Sequence, residues 1–218
     1  MSLAEEFATR YAGLRQAYGT FTATNESRED GKAGGKNITI SKELSEKDIL
    51  ELWDKHLSGE QSIGLVPIDE NNACVWGAID VDEYSLDLKG LSQKLSKHKL
   101  PLVVCRSKSG GAHIYLFIEE PVPASLLQRK LRQIAASIGY GQAEIFPKQT
   151  QLLLDRGDRG STLNMPYFGG ESSTRYAYGK KGEALSPEEF IERVKEITLT
   201  VEQIERLEAS PLTENIDW

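Results

Sequence analysis

Asp80 and Asp82 stand one residue apart at the end of the apolar run Ala73-Cys-Val-Trp-Gly-Ala-Ile-Asp-Val-Asp82. Side chains alternate faces along a strand, so the two carboxylates point one way while Ile79 and Val81 point into a core. Aspartate is depleted in strands, so a pair on one face needs a reason. Paired hard oxygen donors suit Mg²⁺ or Mn²⁺; a solvated strand end is the plainer reading. Three more features bear on the choice. Glu144 interrupts the otherwise apolar Ala143-Glu-Ile-Phe146, and with its neighbours turned inward it lies on the opposite, open face. His113 follows Gly110-Gly111 and shares a face with Tyr115 and Phe117. The linker Arg106-Ser-Lys-Ser-Gly-Gly111 offers two cations, two hydroxyls and flexible backbone, which suit an anion such as a triphosphate. Taken singly, these are an edge charge, a sheet histidine and a hairpin turn. Taken together, they fall where one sheet face can gather them, and three carboxylates can hold the two divalent ions that serve nucleotidyl transfer.

The elements that must position these groups follow from periodicity and capping. Residues 2–17 read as an amphipathic helix through Leu3, Phe7, Tyr11 and Leu14. Thr20 to Lys36 reads as a polar, glycine-bearing loop, or as a basic loop, with Lys32 and Lys36, that closes on a phosphodiester backbone. Ser45 with Asp48 opens a helix that stops near Gly59, with His56 on its surface. Strands are expected over 62–68 and 73–81, joined by the turn Asp69-Glu-Asn-Asn72. A helix over 86–98 follows, with His98 complementing its dipole. Then come strands at 101–105 and 112–118, a helix over 124–138 and a short strand at 143–146. The run 161–168 looks extended, with Pro166 placing it at an edge, and 172–179 suggests a last strand. Capping signals at Ser186 and Thr200 open two final helices.

The order strand, helix, strand, strand, helix, strand from 73 to 146 describes an α+β unit with two helices on one face of a sheet, its other face free to hold a site. We divide the chain into a domain over 1–182, with an N-terminal part of about 1–60 and a core of about 61–182, and an acidic helical appendage or linker over 183–218. Composition is that of a soluble globular chain, with no apolar run long enough to span a membrane and no secretory leader, so a cytoplasmic location is expected. Cys74 and Cys105 lie in apolar runs and read as buried thiols. The net charge of -7 resides in the tail: residues 183–218 hold ten acids and three bases, whereas residues 1–182 hold 23 of each. A local basic groove therefore remains compatible with the overall acidity.

The motifs carry a resemblance. Ala78-Ile-Asp-Val-Asp82, Gly111-Ala-His113 led by Ser107-Lys-Ser-Gly, and Ala143-Glu144 resemble, in order, the three motifs of the archaeo-eukaryotic primase superfamily, the primase-polymerases. The string Glu144-Ile-Phe-Pro-Lys-Gln149 and the looser Leu163-Asn-Met-Pro166 are most similar to members from phages, plasmids and mobile elements. The resemblance covers roughly residues 60–170 and extends to the helical N-terminus. It implies an RRM-like antiparallel or mixed sheet with helices on one face, an N-terminal helical/αβ extension and C-terminal helices. It also implies template-directed primase or DNA polymerase activity in replication, on nucleoside triphosphates and single-stranded or primer–template DNA, with a helicase domain or protein as a further partner. Asp80, Asp82 and Glu144 would bind two Mg²⁺ or Mn²⁺ ions. His113 would contact the incoming triphosphate, helped by Arg106, Ser107, Lys108 and Ser109, with Lys148 and Asn164 as further nucleotide or template contacts. Relatives often carry a cysteine cluster before the first motif; this chain has none there, so no zinc is expected. Two alternatives remain: an origin-binding replication-initiation protein of the same fold, or another metal enzyme, such as a nuclease or a glycosyltransferase.

Overall fold

The computed structural model describes residues 1–27, 33–83 and 85–208. Its first elements are α1 (Leu3–Arg10), β1 (Ala17–Ser27), β2 (Ala33–Ser41), α2 (Glu46–Leu57) and β3 (Ile63–Leu65). Next come β4 (Ala73–Val81), α3 (Leu88–Lys97), β5 (Val103–Arg106), β6 (Ala112–Pro123), α4 (Ala124–Ser137) and β7 (Glu144–Phe146). The last are β8 (Leu163–Asn164), β9 (Ala177–Tyr178), α5 (Pro187–Ile197) and α6 (Val201–Arg206). Two antiparallel sheets result, one ordered β7-β4-β6-β5-β9 and the other β2-β1-β3-β8. The fold is α+β.

The run from β4 to β7 forms the expected unit. Asp87 caps α3, its carboxylate accepting the Gly90 N–H, and Leu88, Leu91 and Leu95 recur at helical spacing along the buried side. Leu127, Leu131 and Ile134 do the same on α4. Both helices pack on the face of the sheet formed by Ile79, Val81, Val104, Ile114 and Leu116. Truncating a leucine such as Leu131 here costs about 2–5 kcal/mol.

The opposite face is covered over most of its area, contrary to the expectation of an open sheet. Trp76, Tyr115 and Phe117 project from it into a cluster with Phe7, Tyr11, Trp53 and Phe190, supplied by α1, the residue after it, α2 and α5. The Tyr11 ring lies 5.2 Å from Trp76 and 5.3 Å from both Tyr115 and Phe117, centroid to centroid, each edge-on. Aromatic pairs of this geometry contribute about 0.5–1.5 kcal/mol beyond their area. The cause is in the strands themselves: large apolar side chains on both faces demand cover on both faces. Among the described residues, the end of the sheet that carries Asp80 opens into a cleft.

Three other readings change. The first helix ends at Arg10; Tyr11 and Leu14 are buried from an irregular segment, held where the Leu14 N–H donates to the Val66 carbonyl. The segment after it is a hairpin rather than a loop, with β1 and β2 paired from Ala17↔Ser41 to Ala23↔Gly35. Gly31 and Lys32 of the supposed basic loop lie outside the described residues. β3 and β4, on either side of the Asp69–Asn72 turn, belong to different sheets. His56 is fully buried, not on the surface. Its Nε2–H donates to the Pro166 carbonyl at 2.8 Å, and its Nδ1 accepts the Ile63 N–H at 3.1 Å, so the ring is neutral with the proton on Nε2. Burial pushes its pKa down to about 4.

Cys74 and Cys105 are free, buried thiols. The final helices are acidic on their solvent sides, yet Phe190, Ile191 and Val194 of α5 and Ile204 of α6 are buried. Leu199, between them, exchanges backbone hydrogen bonds with Phe117 and Glu119 of β6. Among the described residues no helix is long and apolar enough to cross a membrane.

Candidate active site

Register in the five-stranded sheet sets the site. Asp80 on β4 pairs directly with Glu144 on β7 to one side and with His113 on β6 to the other, and His113 pairs in turn with Cys105 on β5. Glu144, Asp80 and His113 therefore form one row across three adjacent strands, all on the face away from α3 and α4. Asp82 follows two residues on along β4 and repeats the same orientation. Behind this row the next residues inward are Phe146, Ala78 and Tyr115, which begin the aromatic core. The ionisable row is thus the point at which an apolar face meets solvent.

Like charges placed directly opposite each other on neighbouring strands destabilise a sheet, and the row carries two. Each carboxylate is met by a cation-capable group. Asp80 Oδ1 lies 3.4 Å from His113 Nε2, and Glu144 Oε2 lies 2.7 Å from Lys148 Nζ. His113 is buried, and its Nδ1 lies 3.2 Å from the Tyr115 hydroxyl. Burial raises the Tyr115 pKa well above that of a free phenol, so the hydroxyl keeps its proton. The arrangement that satisfies all three groups has Tyr115 donating to Nδ1, which leaves a proton on Nε2 facing Asp80.

The turn between β5 and β6 closes over the row. The Ser107 N–H donates to the Gly111 carbonyl and the Gly110 N–H to the Ser107 carbonyl, with Gly110 at φ +96°. Gly111 admits nothing larger, because a Cβ there would lie 2.2 Å from the Val81 carbonyl oxygen on β4. Ser107, Lys108 and Ser109 of this turn line the same cleft as the carboxylates. Lys108 reaches across to the second sheet, its Nζ 3.0 Å from the centre of the Phe21 ring on β1.

The result is a cleft of about 280 Å³ lined by Asp80, Asp82, Glu144, His113, Ser107, Lys108, Ser109, Lys148 and Asn164, together with Phe146, Thr162 and Leu163. Of the residues singled out in the sequence only Arg106 stays outside. It is exposed, and strand alternation explains why: Cys105 shares the row with His113, so Arg106 faces the other way. Phe146 and Leu163 stand in the strings that carry the resemblance, yet neither they nor Thr162 has chemistry that marks it for the site. Leu163 and Asn164 enter through β8, which joins the second sheet by pairing with β3.

A family comparison accounts for this assembly. The family model described as "TOTE conflict system, Archaeo-Eukaryotic Primase domain" matches residues 5–184. The chain belongs to this family. Among curated proteins the primase domain finds no match. Membership implies a nucleotidyltransferase-like enzyme with primase-like chemistry, acting on nucleotides and DNA. The matched span takes in α1, the β1–β2 hairpin and β9 as well as the three motifs, so the second sheet is part of the primase domain and not an addition to it.

As a donor set, the carboxylates of the primase domain fit a hard divalent cation in type and in common orientation. They are not gathered for one as they stand. Among the described residues no three His, Cys, Asp or Glu side chains are close enough to hold an ion together. The reason is visible in the pairs above: Glu144 is turned to Lys148 and Asp80 to His113.

Proposed function

We propose that this domain catalyses template-directed nucleotidyl transfer on DNA, as a primase, a polymerase or both. The observation that supports this best is the row Glu144–Asp80–His113 with Asp82, facing a turn of two serines and a lysine across one cleft. Carboxylates alone suit many metal enzymes; carboxylates opposite an anion-binding turn suit a substrate that brings a polyphosphate. Asp80, Asp82 and Glu144 would hold Mg²⁺ or Mn²⁺, which when bound offsets phosphate charge and activates the attacking oxygen. The Nε2–H of His113 would donate to a phosphate oxygen, with the Tyr115 hydroxyl against Nδ1 orienting the ring. Ser107, Ser109 and Lys108 supply two hydroxyls and a charge around the remaining phosphate oxygens. Nucleoside triphosphates and single-stranded or primer–template DNA are the substrates this reading requires.

The test is incubation with single-stranded template, labelled nucleotides and Mn²⁺, with and without an annealed primer. The protein should incorporate label, and the double variant Asp80→Ala, Asp82→Ala should lose incorporation while its circular dichroism is unchanged. Undiminished incorporation by that variant would overturn the assignment. Tight, sequence-specific duplex binding without incorporation would replace it with an origin-binding role.

A further inference from the structure

Glu144 is the one carboxylate of the row held by a lysine, and that lysine lines the same cleft. We propose that Lys148 is an exchangeable counter-cation. It neutralises Glu144 while the metal is absent, yields the carboxylate when a divalent ion arrives, and moves its charge onto the phosphates of the incoming nucleotide. The proposal rests on the nucleotidyl-transfer reading of the cleft and adds a role to it.

Three observations carry it. First, the row places Glu144 directly across from Asp80, so without a metal the carboxylate needs a positive neighbour, and Lys148 Nζ stands 2.7 Å away. Second, the pair is loose by environment. The Glu144 side chain is 61% exposed and that of Lys148 39%, whereas His113 and Asp80 are 8% and 23% exposed. Exposed lysine–carboxylate pairs are weak, which a pair that must open in each cycle requires and a purely structural pair does not. Third, the backbone of Lys148 is anchored independently of its side chain. Gln128 on α4 donates to the carbonyls of Pro147 and Lys148, at 3.0 and 2.9 Å. The Cα is therefore fixed beside the cleft while the flexible four-carbon stem is left to swing, and a lysine acts on phosphate as a mobile point charge. From Glu144 the ammonium need only turn toward Ser107, Ser109 and His113, which line the same 280 Å³ space.

An exchange role and a static role differ in a binding experiment, because only an exchanging lysine also contributes to triphosphate binding. Mn²⁺ binding to the nucleotide-free protein is followed by the electron paramagnetic resonance signal of free Mn²⁺. Binding of a triphosphate with a non-hydrolysable α,β-imido linkage is then measured by calorimetry in saturating Mn²⁺. Lys148→Met should bind Mn²⁺ about two- to fivefold more tightly, because the weak competing pair is gone. It should bind the triphosphate about tenfold or more weakly, because a charge-assisted contact is lost. Lys148→Arg should stay near wild type in both. Mn²⁺ affinity that is unchanged or weakened in Lys148→Met, or unchanged triphosphate affinity, would overturn the exchange and leave the function assigned above intact. Absence of Mn²⁺ binding in the wild-type protein, or binding that survives Asp80→Ala, Asp82→Ala, would overturn the metal site and the exchange together.

Discussion

Acidification should weaken this domain through one histidine, and the size of the effect follows from the burial of His56. In the folded protein its pKa is pushed down to about 4, whereas an unfolded chain titrates near 6.5. Between these values the unfolded state binds the proton and the folded state does not, so stability falls as pH falls. The contribution is fully present above pH 6.5, declines by about 1.4 kcal/mol per pH unit in the window, and is spent below pH 4. Integration gives a loss of about 2 kcal/mol by pH 5, a large share of the 5–15 kcal/mol typical of a domain. The structural event is specific. A protonated Nδ1 no longer accepts the Ile63 N–H, and the ring that ties α2 to β3 and Pro166 loses one of its two bonds. Urea unfolding at intervals from pH 7.5 to 4.5 reads the slope. The chain has three histidines, so ¹⁵N-resolved titration of the imidazoles assigns it. His56→Gln should start less stable, by about 1–3 kcal/mol for the disturbed hydrogen bonds, and show a shallower decline through the same window. An imidazole pKa above 6 for His56, or parallel slopes in wild type and variant, would refute the reasoning.

Other consequences are testable with less apparatus. His113→Ala should cost about 1–3 kcal/mol, because it leaves the buried Tyr115 hydroxyl without its partner, and should raise the nucleotide KM about tenfold to a hundredfold, the worth of one hydrogen bond to a charged oxygen; urea melts and steady-state kinetics with Mn²⁺ check the two. Gly111→Ala should cost about 2 kcal/mol or more, since its Cβ would meet the Val81 carbonyl at 2.2 Å, and should weaken triphosphate binding because the Ser107–Ser109 turn shifts with it; urea melts and calorimetry report both. Phe7→Ala should cost about 3–5 kcal/mol by emptying the centre of the aromatic cluster, visible in a thermal melt. Ser45→Ala, which removes the α2 cap far from the cleft, should cost about 1 kcal/mol and leave incorporation unchanged.

The carboxylates and His113 were legible because strand alternation is a strict rule: a polar residue among apolar neighbours announces its face. The same rule, applied one residue further along β5, turns Arg106 away from the row, although the linker it opens and the family resemblance had both pointed to the cleft. Helices α2, α3, α4 and α5 were legible from caps and from leucine or isoleucine spacing. The β1–β2 hairpin was not, because Thr20, Gly34, Gly35 and Asn37 lack the alternation that marks a half-buried strand, and its strand character comes from pairing. The first helix was overdrawn since Tyr11 and Leu14 fall on helical spacing yet are buried from an irregular turn. His56 stands on the face of α2 shared by Ile49, Leu52 and Trp53, a spacing that pointed inward, but a polar ring there reads as surface unless its partners are known. Its burial depends on Pro166 and Ile63, 110 and 7 residues away, and contacts of that kind leave no local trace. For the same reason Thr162, which lines the cleft from the residue before β8, was invisible.

The aromatic cluster has a practical bearing on where this protein can be shortened. Phe190 belongs to α5, beyond the end of the family match at residue 184, yet its ring stacks on those of Phe7 and Tyr11, and it meets Phe117 and Tyr167 edge-on or tilted. A chain trimmed to the matched span would leave those four rings uncovered directly behind the row that holds His113. Such a fragment would expose a contiguous oily patch and self-associate rather than merely lose a helix. The packed core of the domain therefore extends through α5, downstream of residue 184, where the family match ends.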